Sequence, residues 1–514
     1  MTVHRNGKPI VPAVAILALS VVAVASAGGL LGGLRELWGP LYDYSGPAAQ
    51  QLLPPPRAAH VAGNAASSVR YWNQVTMDAN AIDHTPTVAG ESRVFGEQVG
   101  PGRTSLAFAI VHIAIFEAVN AIAGGYESYA GVSSAPAGTS MEAASAEAAH
   151  DTLVAMYPSQ TARLDALLTQ DLSMMPVGIA KSNGIELGRL AAAAILARRA
   201  GDGANDPEPR VGVDFITSNE PGKWRQDPIN QHPLALGAHW GEVTPLVLTS
   251  PDQFRVVAPP SLSSASYALA YNEVKQLGGD GVNTPTVRLP DQTVAGIYWG
   301  YDGTPGLGTP PRLYNQIAVQ IAAQRGSDVV ELARMLALVN VAMADAGIAS
   351  WESKYYYQLW RPTSGIRESD LGTGPTGAGD GNPLTLGDPN FTPLGAPASN
   401  LRGLNFTPPF PAYPSGHATF GAALFQTLRN VYRTDIIPFT FVSDEFNGVT
   451  RDNQGRVRPR RPRSFASLSQ AEEENGQSRI YLGIHWAFDK TEGIAQGRRV
   501  ADHVFSNAFV PVSP

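Results

Sequence analysis

Apolar residues recur at spacings of three and four through much of this chain, the signature of amphipathic helices. Phe108, Val111, Ile115, Val119 and Ile122 line one such face. Leu313, Ile317 and Ile321 line a second, and Leu332, Leu336, Val339 and Met343 a third. Segments 140–157, 159–172, 178–200 and 264–278 read as further helices, and another runs from Ala418 through Tyr432. Sustained period-two alternation is scarce, so the pattern predicts a mostly α body in two helical halves. The N-terminal half spans 71–255 and the C-terminal half 256–514. Residues 366–412, crowded with Gly, Pro, Thr and Asp, and the polar stretch 443–470 read as long connections. Within the second, the basic run from Arg456 to Arg463 reads as a solvated, proline-broken loop rather than an anion-attracting rim.

The first 70 residues follow a different logic. Arg5 and Lys8 precede an apolar run from Ile10 to Val24, which leads into Ala25-Ser26-Ala27. A charged start, an apolar stretch and small residues at a cleavage point make 1–27 a signal peptide, with an uncleaved membrane anchor as the alternative. The expected location is secreted or periplasmic. Residues 28–70 are Gly-, Pro- and Ala-rich and read as a tether or loosely packed arm. No later segment offers roughly 18 uninterrupted apolar residues, so no membrane is expected for the mature body.

Composition narrows the chemistry. The 514 residues suffice for a large core. A formal charge of −7 becomes −9 when Arg5 and Lys8 leave with the leader, which argues against a nucleic-acid partner. With no cysteine, disulfides, thiolate metal sites and a thiol nucleophile are excluded, and ten histidines are too few for a His-rich metal cage.

Three short stretches carry chemistry. Lys354 and Arg361 stand two helical turns apart amid Trp351, Tyr355, Tyr356, Tyr357 and Trp360. Read as one helix, the two cations share a face and Pro362 ends or kinks it. Burying them in that aromatic setting without an anion is costly. In Pro414-Ser415-Gly416-His417, Ser415 is a plausible N-cap and Gly416 permits close backbone approach, so the following helix start reads either as an anion site or as an ordinary helix start carrying a surface histidine. Arg479 supplies a guanidinium fork, and Asp489 lies one turn beyond His485, where its carboxylate can orient the ring. Arg479 and His485 either converge from different sides of one helix or a helix begins between them. His112 and Glu117 read as core or interface residues.

Taken together, the three stretches resemble the superfamily of vanadium-dependent haloperoxidases, type 2 phosphatidic-acid phosphatases and bacterial acid phosphatases. The segments Trp351–Arg367 and Pro408–Phe420, with Tyr298–Gly303 and Gly308–Asn315, are similar to the chloroperoxidase branch. The likeness is strong over about 295–505. It implies an all-α fold of two packed helical bundles, with the C-terminal bundle carrying vanadate. By the resemblance, His485 bonds the metal, Lys354, Arg361, Ser415, the Gly416 amide and Arg479 hold its oxygens, and Asp489 supports His485. His417 is the acid/base that takes a proton from hydrogen peroxide, with Asp302 as its candidate partner. Trp351 and Phe410 line the halide region, and phenylalanine at 410 favours chloroperoxidase-like chemistry. The implied activity is oxidation of chloride, bromide or iodide by hydrogen peroxide to hypohalous acid, which halogenates a small organic acceptor. The alternative is a soluble acid phosphatase with His485 as nucleophile, working through a phosphohistidine. Preferred halide, organic acceptor and any homo-oligomer stay open.

Overall fold

The computed structural model describes residues 33–53 and 61–512. The signal-peptide expectation for 1–27 therefore lies outside the described residues. After two short helices, α1 (Leu34–Trp38) and α2 (Ala49–Leu52), the N-terminal half contains α3 (Ala65–Asp83), α4 (Gly100–Ala123), α5 (Met141–Met156), α6 (Thr161–Ser173) and α7 (Ile179–Arg199). The C-terminal half contains α8 (Ala265–Leu277), α9 (Pro290–Tyr298), α10 (Pro310–Arg325), α11 (Val329–Tyr357), α12 (Pro362–Arg367), α13 (Gly416–Tyr432), α14 (Leu468–Tyr481) and α15 (Ala487–Asn507). One antiparallel hairpin, β1 (Phe439–Val442) with β2 (Pro462–Phe465), pairs Phe439 with Phe465 and Val442 with Pro462. The all-α reading holds, and the predicted helices lie where the three-and-four spacing put them.

Local chemistry explains several helix ends. Asp328 accepts from the amides of Val330 and Glu331, and Glu331 returns a bond to the Asp328 amide, a full capping box. Gly326 ends α10 in the left-handed region at φ 71°, a conformation that a Cβ penalises. Helix α11 is the spine. It packs on α4 of the first bundle and on α13 and α15 of the second, joining the two halves through one core. By length and apolarity α4 and α11 could each cross a membrane, yet 83% and 94% of their most apolar windows are buried inside the body. Their apolar surface faces protein.

Helices α13 and α15 approach closely because small residues meet at their contact. A Cβ added to Gly497 would stand 2.2 Å from the Thr419 carbonyl oxygen, and one on Gly493 would stand 2.8 Å from that of Ser415. This proximity places the start of α15 against the start of α13.

Two expectations need correcting. The described part of segment 28–70 is no loose arm: Leu37, Trp38 and Tyr42 are buried, and Asp43 exchanges two backbone hydrogen bonds of 2.9 Å with Arg402. Two large aromatic side chains gain more by burial than a tether gains by freedom. The basic run 456–463 is not simply a solvated loop either. Arg458 is buried and donates to Glu445 at 2.6 Å, and Arg463 is paired with Asp291 and Glu474. Part of the run forms β2, while Arg456 stays exposed.

Candidate active site

Helix α11 does not continue to Arg361. It stops at Tyr357, where Gln358 turns into the left-handed region at φ 54°, and Arg361 is the N-cap residue of α12 with Pro362 in its first turn. Lys354 and Arg361 thus share no helix face; Pro362 starts a helix rather than ending one, as its fixed φ and missing N–H allow. The break turns Arg361 across the site. Its Nε donates to the Phe410 carbonyl at 2.9 Å, and its Nη1 donates to the Ile484 carbonyl and to His485 Nε2, each at 2.9 Å.

Lys354 is fully buried, and its three ammonium hydrogens meet the carbonyls of Pro411 and Ala412 at 3.0 Å and that of Pro414. The lysine thereby holds the turn that delivers Ser415 and Gly416 to the head of α13. Ser415 caps that helix, accepting from the Ala418 amide at 3.5 Å, and its own amide donates to the Asp489 carbonyl at 3.0 Å. A Cβ on Gly416 would stand 3.2 Å from the Trp351 ring, a tight contact to which the ring would have to yield by a few tenths of an ångström.

A helix break also separates Arg479 from His485. Arg479 lies in the last turn of α14, α15 starts at Ala487, and His485 sits in the connection. His485 Nδ1 donates to Asp489 Oδ2 at 2.8 Å, and the same oxygen accepts from the Trp486 amide at 3.0 Å. The carboxylate therefore fixes both the ring tautomer and the helix start. It leaves Nε2 as the ring's free lone pair, which Arg361 meets.

Asp302 lies beside His417 as expected, at ion-pair rather than hydrogen-bond distance. Asp302 Oδ1 stands 3.9 Å from His417 Nε2, too far for a hydrogen bond, and accepts instead from Arg479 Nη2 at 2.6 Å. His417 Nε2 donates to the Gly300 carbonyl at 2.7 Å. A guanidinium offers a carboxylate a stronger partner than a neutral imidazole does. A main-chain carbonyl carries no residue-type signal, so the sequence could not have pointed to Gly300. The backbone of His417 is held by Tyr314 and Asn475, which both donate to its carbonyl.

Burial and like charge shape the electrostatics. Desolvation, then the neighbouring Arg361, Lys354 and Arg479, hold the His485 imidazole well below its usual range. Lys354 is pulled down by burial and then by Arg361. His417 falls to about 4 through burial and then Arg479, so it is neutral near pH 7. Burial lifts Asp489 to about 7.

Three guanidinium nitrogens at this place, Arg361 Nη2 and Arg479 Nε and Nη1, are buried and have no hydrogen-bond partner among the described residues. Buried donors without acceptors cost free energy, and positive charge gathered around them costs more. An oxyanion with several acceptor oxygens would satisfy both, and the imidazole Nε2 gives it a point of attachment. The donor set fits vanadate.

One cavity opens onto this cluster, about 680 Å³ counted out to its mouth. Asp302, Gly416, His417, Arg479 and His485 form its polar end, and Trp351 and Phe410 adjoin them with ring centroids 4.8 Å apart. Lys354 Nζ lies 5.2 Å from the Phe410 ring centre. Of the residues singled out in the three stretches, Trp351, Gly416, His417, Arg479 and His485 line this cavity with Asp302. Arg361 and Asp489 are bonded to His485, and Lys354 holds the turn that carries Ser415, while Tyr356 is exposed.

Comparison with known proteins finds vanadium haloperoxidases in both sequence and fold. Residues 334–513 match the model of the VCPO second helical-bundle domain. The chain is 30% identical to the vanadium chloroperoxidase of Curvularia inaequalis, over 82% of this chain and 78% of that one. Among solved structures it resembles a bacterial vanadium-dependent iodoperoxidase with a TM-score of 0.66 at 23% identity, covering 87% of this chain and 98% of the other. It also resembles an apo-type bacterial vanadium-dependent chloroperoxidase with a TM-score of 0.58 at 15% identity, covering 80% and 94%.

Proposed function

This chain belongs to the vanadium-dependent haloperoxidase family, whose cofactor is vanadate, and on that premise we propose that it oxidises halide with hydrogen peroxide and halogenates small organic acceptors. The observation that carries the reading is the set of unpaired, buried guanidinium N–H groups of Arg479, which lines the cavity with His485, and of Arg361, which is bonded to His485. Arg361, Arg479, Lys354, Ser415 and the Gly416 amide would hold the oxygens of vanadate, and His485 Nε2 would ligate the metal. Vanadate supplies Lewis acidity that activates peroxide while the metal keeps its oxidation state.

The protein's own groups do the rest. Asp489 keeps the proton on His485 Nδ1 and so keeps Nε2 a ligand. Arg361 Nη1, bonded to that nitrogen here, would give up the bond for Nε2 to ligate the metal. His417, neutral by burial and anchored through Nε2 to Gly300, offers Nδ1 as the base for a peroxide proton. Lys354 keeps the 411–414 turn in place and adds positive charge close to the Trp351–Phe410 wall where halide would sit.

Phe410 supports chloroperoxidase-like chemistry. The 30% identical relative is a chloroperoxidase and one protein of similar fold an iodoperoxidase, so chloride and iodide both have support. We also propose export, on the strength of Arg5, Lys8, the apolar run and Ala25-Ser26-Ala27. The test measures iodide oxidation to triiodide and bromination of a phenolic dye, with peroxide, with and without added vanadate. Vanadate-dependent turnover is expected. Hydrolysis of an aryl phosphate that vanadate inhibits, with no halide oxidation, would overturn the reading in favour of a phosphatase.

A further inference from the structure

The cavity that ends at the oxyanion cluster has a second, aromatic end that the proposed halide chemistry does not use. It is built from segments far apart in the chain: Leu37 and Trp38 of the N-terminal arm, His232, and Phe406. Trp38 stands edge-on to Phe406 with centroids 4.6 Å apart, and its ring centroid is 5.4 Å from that of His232. Tyr42 stacks on His232 at 5.3 Å, lies 5.4 Å from the Trp38 ring, and accepts a hydrogen bond from Asn230 at its hydroxyl. The arm is therefore a fixed wall of this end of the cavity.

Two polar atoms in that wall are buried without a hydrogen-bond partner among the described residues, Trp38 Nε1 and His232 Nε2. They differ in kind. An indole N–H only donates. His232 Nδ1 faces the Leu37 carbonyl at 3.4 Å, and a carbonyl only accepts, so Nδ1 carries the proton and Nε2 presents a lone pair. Burial pulls this imidazole down to about 4, which keeps it neutral near pH 7. One unpaired donor and one unpaired acceptor in an aromatic enclosure match a hydroxylated ring, whose oxygen can accept from the first while its O–H donates to the second.

We propose that the Trp38–His232 end of the cavity is a binding site for the organic acceptor, an electron-rich phenol, which is halogenated while held there rather than by reagent released to bulk solvent. The inference rests on the haloperoxidase reading and names the acceptor class for that same cavity. The step balances: a ring carbon attacks the halogen of hypohalous acid, and the halogen–oxygen bond breaks. The oxygen leaves as hydroxide and takes the displaced ring proton, giving aryl halide and water. His232, accepting the phenol O–H, raises electron density on the ring as it reacts. It acts through the bound phenol and has no part in halide oxidation.

The probe is 2-naphthol, titrated calorimetrically into vanadate-loaded full-length protein without peroxide or halide. Saturable one-to-one binding is expected, weakened at least tenfold in His232→Phe and in Trp38→Phe. Both variants keep an aromatic ring in place, and iodide oxidation within twofold of the parent shows that they fold and load. A second arm adds peroxide, bromide and two competing phenols and compares the product ratio with that from hypobromous acid alone. The parent ratio should differ from the reagent ratio, and the variants should move towards it. No saturable binding, affinity unchanged in both variants, or a parent ratio equal to that of the reagent overturns the proposal. Absence of iodide oxidation in the parent would instead sink the haloperoxidase reading, while the calorimetry still judges the phenol site.

Discussion

Replacing Asp489 by alanine separates support of the metal ligand from support of the fold. The same carboxylate oxygen accepts from His485 Nδ1 at 2.8 Å and from the Trp486 amide at 3.0 Å. Losing the second bond removes a helix-start contact worth about 1 kcal/mol. Losing the first leaves the imidazole free to rotate and change tautomer, which at ligating histidines costs about 10- to 100-fold in affinity. The buried carboxylate also carries a desolvation cost, since burial raises it to about 7, and its removal offsets part of the lost cap. The vanadate-free variant should therefore melt close to the parent. The bound state should not. At a vanadate concentration of 100 times the parent Kd, binding stabilises the parent by about 2.7 kcal/mol, and the variant by only about 1.4 kcal/mol at a tenfold loss or about 0.4 at a hundredfold loss. Asp489→Asn keeps one acceptor oxygen for the helix start and should fall between the two. Thermal melts across a vanadate titration, with Kd from calorimetry, read both quantities. A variant that binds vanadate with the parent Kd would refute the assignment of Asp489 to His485, and with it the orientation argued for Nε2.

The other expectations are as direct. His485→Ala should abolish tight vanadate binding, whereas His417→Ala should keep Kd within about threefold and lose about 10²- to 10⁴-fold in kcat; equal loss of affinity in both, by calorimetry, would contradict the separate roles. Gly497→Ala should cost about 1–3 kcal/mol, because its Cβ would meet the Thr419 carbonyl at 2.2 Å and force α13 and α15 apart; an unmoved urea midpoint would show that the contact is not close. His112 is buried with both ring nitrogens unpartnered among the described residues and is held near 3 by desolvation. Its folded value lies below the unfolded 6.5, so the stability it carries is present above about pH 6.5 and is lost as pH falls towards 3. His112→Leu should thus remove about 3 kcal/mol of the stability lost between pH 7 and pH 4. Urea unfolding at the two pH values checks this, and an unchanged difference would be contrary.

Much of the site was legible because its bonds are local. Ser415 caps the helix it precedes, and Asp489 reaches back four residues to His485, so spacing alone foretold both contacts. The reading of Lys354 and Arg361 as one helix face failed for a local reason that spacing hides: Gln358 takes a left-handed conformation, and the chain restarts at Pro362. The partner of His417 was missed because it is the carbonyl of Gly300, and the acid singled out for it is taken by Arg479. Trp38 and His232 carried no signal in the sequence, since neither lies in a periodic face or a spaced motif.

By itself the amino-acid order determined the helices, the three stretches that bear the chemistry and the kind of ion they suit, because helix periodicity, capping and side-chain charge are properties of near neighbours. Only the folded molecule decided which cations turn inward, which carboxylate meets which base, and that an N-terminal segment walls the cavity. Those outcomes depend on burial and on competition for partners more than a hundred residues away along the chain, where a buried guanidinium or indole settles against whatever the rest of the protein brings to it.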